Sequence, residues 1–265
     1  MIVAGCDVGS LSAEAVIMSN GAIVASEIIR VRPRPEQSAA DVMDAALARA
    51  GLSYRDIVCC FSTGYGRERI PFANGNVSEI SCHGKGAQWL VSSVRTVIDV
   101  GGQDCKVIRV DQDGKLVNFV MNDKCAAGTG RFLEFMAKVL GVGIGDLGPQ
   151  GRSSDNPVTV TSVCSVFAET EVLHAIYEKR SVPDIAAGIN QAMSERVKAL
   201  VKRVGIQPDV CITGGVAKNI GVVRNLELML DFRAEELPVD PQVVGAIGAA
   251  LFARERQNGV PLEGQ

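Results

Sequence analysis

Two stretches of the chain share one pattern of apolar and polar positions. An apolar run at 2–7 ends in Asp7-Val8-Gly9, and strand-like runs at 13–18 and 22–31 flank an Asn-Gly turn. A second apolar run at 96–99 ends in Asp99-Val100-Gly101 and also leads into two strand-like runs, which flank an Asp-Gly turn. Such pairs between apolar runs are typical of hairpins. The pattern therefore predicts an internal repeat of two α/β halves.

Apolar residues at helical spacing predict the remainder of each half. Predicted helices cover 38–50, 80–94, 131–140, 165–177, 184–204, 222–230 and 243–255, and further strands cover 57–61, 158–161 and 210–213. The antiparallel opening strands differ from the all-parallel sheet of a dinucleotide-binding fold. No Gly-x-Gly-x-x-Gly motif follows the first strand, and the Gly-x4-Gly-Lys-Ser/Thr motif of the P-loop is absent from the sequence. We therefore expect mixed sheets flanked by helices.

Composition narrows the class of protein. The 265 residues carry 27 Lys and Arg against 30 Asp and Glu, so no basic excess favours nucleic acid, and 47% hydrophobic residues suffice for a packed core. Neither a signal peptide nor an apolar window of about 18 residues is visible. We expect a cytoplasmic protein with reduced thiols and no membrane partner.

Three glycine turns carry the candidate binding chemistry. The first turn (residues 7–10) and the second turn (residues 99–104) each combine backbone N–H groups with carboxylates at a strand end. Such turns suit phosphate, and carboxylates beside them suit Mg²⁺. The third turn (residues 213–217) has no acid and is open enough for a base or ribose. The recurrence of these turns favours a nucleotide site over ordinary connections.

Two of the eight cysteines stand apart from the others. Cys125 and Cys164 each precede a predicted helix, where the helix dipole favours a thiolate or an anionic cluster. A [4Fe–4S] cluster usually needs four thiolates, which two chains related by a twofold axis would supply. No Cys-x-x-Cys pair occurs, which disfavours a zinc site within one chain. Cys82-His83 is an alternative metal pair, and the cysteines in predicted strands are expected in the core.

The order of the three turns resembles the superfamily of acetate kinases, sugar kinases, heat-shock ATPases and actin, which clamp ATP between two ribonuclease-H-like halves. Seven segments carry a closer resemblance, to the ATP-dependent activators (component A) of 2-hydroxyacyl-CoA dehydratases and the related ATPase subunits of benzoyl-CoA reductase. These segments are 7–10, 63–67, 81–83, 97–104, 122–132, 164–171 and 214–219.

This resemblance implies a function and a domain organisation. Residues 1–95, joined by a helix at 243–257, would form the first half, and residues 96–242 the second half with the cluster cysteines and the adenosine loop. The chain would be an oxygen-sensitive homodimeric ATPase with one [4Fe–4S] cluster held by Cys125 and Cys164 of both copies. ATP hydrolysis would drive a low-potential electron from ferredoxin or flavodoxin into the partner. That partner would be a 2-hydroxyacyl-CoA dehydratase or a related CoA-ester or double-cubane reductase.

The resemblance also implies roles for individual residues. Asp7, Gln103 and Asp104 would be catalytic, and Asp7 and Asp99 would hold Mg²⁺. ATP or ADP would contact Gly9, Ser10, Leu11, Ser12, Ala13, Gly101, Gly102, Gln103, Gly128, Thr129, Gly214, Gly215, Lys218 and Gln242. Glu14 departs from the family pattern, because activators carry Lys there and a carboxylate near phosphate is unfavourable unless it points away.

Three alternatives remain open from the sequence. A permanent subunit of a benzoyl-CoA reductase-type complex would share every motif named above. A small-molecule kinase of the same fold would need a carboxylate base and an acceptor pocket, and no sugar-binding motif is apparent. A regulatory module would use nucleotide only to switch a partner interface, and would not need Cys125.

Overall fold

A computed structural model describes residues 1–260 of the chain. Its strands are Ile2–Val8 (β1), Ser12–Ser19 (β2), Ala22–Arg30 (β3), Cys59–Thr63 (β4), Gly75–Asn76 (β5), Thr96–Val100 (β6), Cys105–Val110 (β7), Leu116–Asn122 (β8) and Val210–Thr213 (β9). Its α-helices are Pro35–Ala50 (α1), Glu79–Leu90 (α2), Gly130–Leu140 (α3), Leu147–Arg152 (α4), Ser165–Tyr177 (α5), Val182–Val204 (α6), Ile220–Leu230 (α7) and Val244–Gln257 (α8).

The chain divides into two compact units. The first contains Met1–Val97, Arg109–Val117 and residues 237–260, and the second contains Ile98–Ile108 and Asn118–Glu236. Within the described residues, no helix combines the length and the apolar character needed to cross a bilayer.

The first unit is built on a five-stranded sheet in the order β3-β2-β1-β4-β5. β1 and β2 are antiparallel, as are β2 and β3, whereas β4 runs parallel to β1. One face of β1 packs in a core with α8, and the opposite face packs in a core with α1. Because both faces are covered, the central strands are apolar nearly throughout, and Asp7 and Glu14 are notable exceptions.

The second unit surrounds the four-stranded sheet β8-β7-β6-β9 with helices. Its apolar core joins β6, β7 and β9 to α3, α5, α6 and α7. α6 is the longest helix, and the Ser181 hydroxyl caps its first turn by accepting a hydrogen bond from the Asp184 N–H. This core supports the second and third turns, which lie at the ends of β6 and β9.

The strand predicted at 158–161 is absent, and that prediction is wrong. The Val158 N–H donates to the Asp184 carbonyl, and the Thr161 N–H donates to the Glu171 carboxylate at 2.5 Å. The segment therefore satisfies these backbone groups on α6 and α5 instead of on a sheet edge. Alternating Val and Thr residues favour a strand locally, but a strand forms only where a neighbouring strand offers hydrogen bonds.

Candidate functional site

The first turn is held by the backbone of its neighbours. The Gly9 N–H donates to the Ser12 carbonyl at 3.0 Å, and the Gly66 N–H donates to the Val8 carbonyl at 2.9 Å. Residues 9–12 are half-buried, so their backbone can meet a ligand, whereas Ala13 is fully buried and can contribute only through its backbone.

Five polar side chains collect beside the first turn. Asp7 and Glu14 are register partners on β1 and β2, so both carboxylates lie on one face of the sheet, and they are 6% and 4% exposed. Oδ2 of Asp7 is 3.8 Å from Nε2 of the buried His83. The side-chain amide of Gln242 donates to Ser12 Oγ at 3.2 Å and faces Glu14 Oε1 at 3.5 Å. Glu14 therefore points into the same polar cluster as Asp7.

Sequence reasoning missed part of this cluster. The resemblance implies that Gln242 lies near the adenosine, and this stays a prediction; the contact of its side-chain amide with Ser12, beside the first turn, was not foreseen. His83 was considered only together with Cys82, whereas its described neighbour is Asp7. No local motif could have found either contact, because both depend on how α2 and the segment before α8 pack on the sheet.

The second turn surrounds a buried ion cluster. The Gly101 N–H donates to the Asp104 carbonyl at 3.0 Å and closes the hairpin between β6 and β7. Nζ of Lys106 lies 2.7 Å from Asp104 Oδ2 and 3.4 Å from Asp99 Oδ2, and all three residues are at most 4% exposed. Gln103 at the tip of the turn is exposed. Lys106 was not among the predicted site residues, although a lysine inside an apolar strand is itself a signal.

The third turn packs on the end of β6. Gly214 has φ +82°, and a Cβ there would meet the Val100 carbonyl oxygen, so this turn requires glycine. The Thr213 hydroxyl donates to Asp99 Oδ1 at 3.0 Å. The second and third turns are thus joined directly, while Gly215 and Lys218 remain exposed for a ligand.

α3 begins directly on the second turn. The Gly130 N–H donates to the Gly101 carbonyl at 2.8 Å, and the Arg131 N–H donates to the Gly102 carbonyl at 2.9 Å. These bonds satisfy N–H groups that the first turn of a helix leaves unpaired. A Cβ on Gly130 would lie 3.1 Å from the Gly101 oxygen, so the close approach depends on glycine.

The loop before α3 holds one candidate cluster ligand. The side-chain amide of Asn122 donates to the Cys125 carbonyl at 3.0 Å, and the Thr129 hydroxyl donates to the Ala126 carbonyl at 2.7 Å. Cys125 lies five residues before α3, whose N-cap residue is Thr129, so it precedes the helix without standing at its first turn. Gly128 and Thr129 are buried, and their contact with nucleotide stays a prediction.

The eight cysteines fall into two groups by exposure. Cys125 and Cys164 are half-buried, and Cys164 is the N-cap residue of α5. The other six are buried. Burial raises the pKa of the Cys60 thiol to about 12 and raises the pKa values of Cys6, Cys82, Cys105 and Cys211 above their ordinary value. Thiols held protonated in this way are poor metal ligands. Within residues 1–260, no three His, Cys, Asp or Glu side chains are grouped to hold a metal ion in one chain.

Known proteins resemble this chain over nearly its whole length. Residues 4–253 match the BadF/BadG/BcrA/BcrD ATPase family. A 2-hydroxyisocaproyl-CoA dehydratase activator of Clostridioides difficile is 43% identical over 254 residues, which cover 96% of this chain and 95% of that protein. The (R)-2-hydroxyglutaryl-CoA dehydratase activating ATPase of Acidaminococcus fermentans is 42% identical and covers 95% of this chain and 96% of its own length.

A solved structure extends the similarity to the fold. The activator of the 2-hydroxyisocaproyl-CoA dehydratase from Clostridium difficile, with bound ADPNP, superposes with a TM-score of 0.92 at 42% identity and full coverage of both chains. The predicted fold class and the predicted family resemblance are both confirmed. On these grounds, the chain belongs to the BadF/BadG/BcrA/BcrD ATPase family.

Proposed function

We propose that this chain is an ATP-hydrolysing iron–sulfur protein that passes a low-potential electron to a 2-hydroxyacyl-CoA dehydratase or a related CoA-ester or double-cubane reductase. One observation carries the proposal. The helix that follows Cys125, one of the two accessible thiols, begins on the second turn through two backbone hydrogen bonds. A movement of that turn on nucleotide binding would therefore be felt next to a cluster ligand.

Each unit supplies groups suited to nucleotide. In the first unit, the half-buried backbone of residues 9–12 offers N–H groups for phosphate. In the second unit, Gly101 and Gly102 are half-buried, and Gln103, Gly215 and Lys218 are exposed. Gln103 and Asp104 are the groups that would orient the attacking water, since phosphoryl transfer depends on positioning and charge stabilisation.

The two carboxylates assigned to Mg²⁺ differ in their fit. Asp7 lies at the end of β1 beside the first turn, where a carboxylate suits a cation bound with phosphate. Both oxygens of Asp99 already face protein donors, namely the Thr213 hydroxyl and the Lys106 ammonium. Asp7 is therefore the residue that would hold Mg²⁺, which would neutralise phosphate charge.

Cys125 and Cys164 fit an iron–sulfur cluster by accessibility and by number. They are the two thiols that burial does not remove from solvent, and a second copy would complete a set of four. The N–H groups at the start of α5 would stabilise negative charge at Cys164. Bound there, the cluster would supply one-electron transfer.

An apolar surface beside Cys164 supports association with a second copy. Val163, Val166 and Phe167 are 68%, 65% and 64% exposed, and Leu173 and Tyr177 continue this surface along α5. Monomeric proteins rarely leave such a patch uncovered. A twofold contact here would bring Cys164 of both copies to one interface.

Purification without oxygen tests the proposal. We expect a brown homodimer with about four iron atoms, which hydrolyses ATP and, with reduced ferredoxin or flavodoxin, activates a 2-hydroxyacyl-CoA dehydratase. C125S and C164S should lose the iron and the activation but keep nucleotide binding, whereas C59A, at a buried cysteine, should keep all three. An iron-free dimer with normal ATP turnover would contradict the proposal. Co-purification in a fixed ratio with reductase subunits would instead favour a permanent subunit.

A further inference from the structure

Lys106 is a buried cation to which the proposed function gives no role. Its side chain is 3% exposed, and its ammonium lies 2.7 Å from Asp104 Oδ2 and 3.4 Å from Asp99 Oδ2. A lysine that has lost its hydration stays charged only when carboxylates compensate for that loss. Lys106 and the two aspartates therefore form one buried ion cluster, with two negative charges and one positive charge.

This buried ion cluster links the two strands of the hairpin. Asp99 lies two residues before Gly101, and Lys106 lies two residues after Asp104, on the two strands that the turn connects. Side chains at matching positions of a hairpin share a face. The Lys106 ammonium on β7 therefore contacts both Asp99 on β6, before the second turn, and Asp104 at the end of that turn.

The orientation of each carboxylate follows from its neighbours. Asp99 accepts a hydrogen bond from the Thr213 hydroxyl on Oδ1 and faces Lys106 with Oδ2, so neither oxygen is turned toward an open side. Asp104 gives Oδ2 to Lys106, and its Oδ1 lies 2.6 Å from the place where a Cβ on Gly101 would stand. Asp104 therefore lies against the backbone of the turn, and its carboxylate forms an ion pair with the Lys106 ammonium.

We propose that Lys106 is the positioning residue of the ATPase reaction, holding Asp104 in place at the second turn, and that Asp99 is its counter-ion and not a direct Mg²⁺ ligand. This assignment rests on the proposed ATP hydrolysis. Lys106 acts through Asp104 and does not touch the nucleotide. Its loss should therefore lower kcat while KM for MgATP changes little, because binding and positioning are separate terms.

The main test compares Lys106→Met with the double variant Asp99→Asn/Lys106→Met. In the double variant, the negative charge lost at Asp99 offsets the positive charge lost at Lys106, so the cluster keeps the wild-type net charge but has no ammonium. It therefore remains testable if the single variant fails to fold. Both should lower kcat about 100-fold, as expected for a misplaced catalytic group, while ADP binding persists. Lys85→Met is the matched control, since Lys85 also pairs with a carboxylate, that of Glu255, within the first unit, and its kcat should equal that of wild type.

Each other outcome has a defined meaning. Recovery of at least half the wild-type kcat in the double variant would overturn the proposal, because Lys106 would then only balance charge. In Asp99→Asn, the Mg²⁺ concentration for half-maximal rate should stay at the wild-type value, and a tenfold or larger increase would make Asp99 a metal ligand. Absence of ATP turnover in the wild-type protein, with ADP bound, would overturn the proposed function and this assignment with it.

Discussion

The contact between α3 and the second turn predicts an unusual response to the substitution Gly130→Ala. The added Cβ would stand 3.1 Å from the Gly101 carbonyl oxygen and 3.4 Å from the Gly102 Cα. The first distance is tighter than ordinary packing, so the turn or the helix must retreat by a few tenths of an ångström. The two hydrogen bonds that join them, at 2.8 and 2.9 Å, leave adjacent residues of α3 and should lengthen together.

Two opposing terms set the size of the effect. A backbone hydrogen bond contributes about 0.5–1.5 kcal/mol net, so weakening both costs up to about 1–3 kcal/mol. Replacing glycine by alanine within a helix normally stabilises it by about 0.5–1 kcal/mol. We therefore expect G130A to be destabilised by about 1 kcal/mol, whereas an unobstructed glycine-to-alanine change should be neutral or stabilising.

Urea unfolding combined with hydrogen exchange measures both parts of this expectation. The control is Gly145→Ala, because nothing lies within 4 Å of a Cβ at that position. G130A should lower the free energy of unfolding and speed exchange of the first α3 amides, and G145A should do neither. If G130A proves at least as stable as wild type, with unchanged protection of those amides, the contact does not constrain the turn.

Two further predictions concern the surface of the second unit. F167S should weaken dimerisation in sedimentation equilibrium by about 1–2 kcal/mol per copy, which is the burial energy of a phenylalanine scaled by its 64% exposure. The control is V24S, at an exposed valine of the first unit. An equal loss of dimerisation in both variants would argue against a dimer contact on α5. Hydrogen bonds from Ser154, at 2.6 Å, and from Ser181 lower the pKa of Asp184, so their stabilisation is present above the ordinary carboxyl pKa and is lost as pH falls through the lowered value. S154A should raise the pKa of Asp184 in an NMR titration and be less stable than wild type at neutral pH but not in strong acid, and a pH-independent difference would contradict this origin.

Local signals were sufficient for the turns and for one cysteine. Asp7 and Asp99 each precede a glycine at a strand end, and a tight turn at such a place follows from a few adjacent residues. Cys164 stands at the helix start that the apolar spacing of α5 indicated. These features depend on short-range conformational preferences, which a sequence displays directly.

Contacts between distant segments could not be predicted in the same way. Gln242 is 230 residues from Ser12 along the chain, yet donates a hydrogen bond to its hydroxyl. The pairing of Lys106 with Asp99 and Asp104 depends on the register of a hairpin and on burial, neither of which composition specifies. The segment at 158–161 had strand-forming residues without a strand beside it, so tertiary hydrogen bonds decided its conformation.

The burial of six cysteines gives the eight thiols of this protein two different reactivities. An alkylating reagent applied to the folded chain meets two open thiols, whereas the unfolded chain presents eight. Because each attached group adds a known mass, mass spectrometry would distinguish chains that carry no label, two labels or eight labels. Labels at Cys125 and Cys164 would then count the folded chains in which these two thiols react, and labels at the buried positions would count the chains that have unfolded.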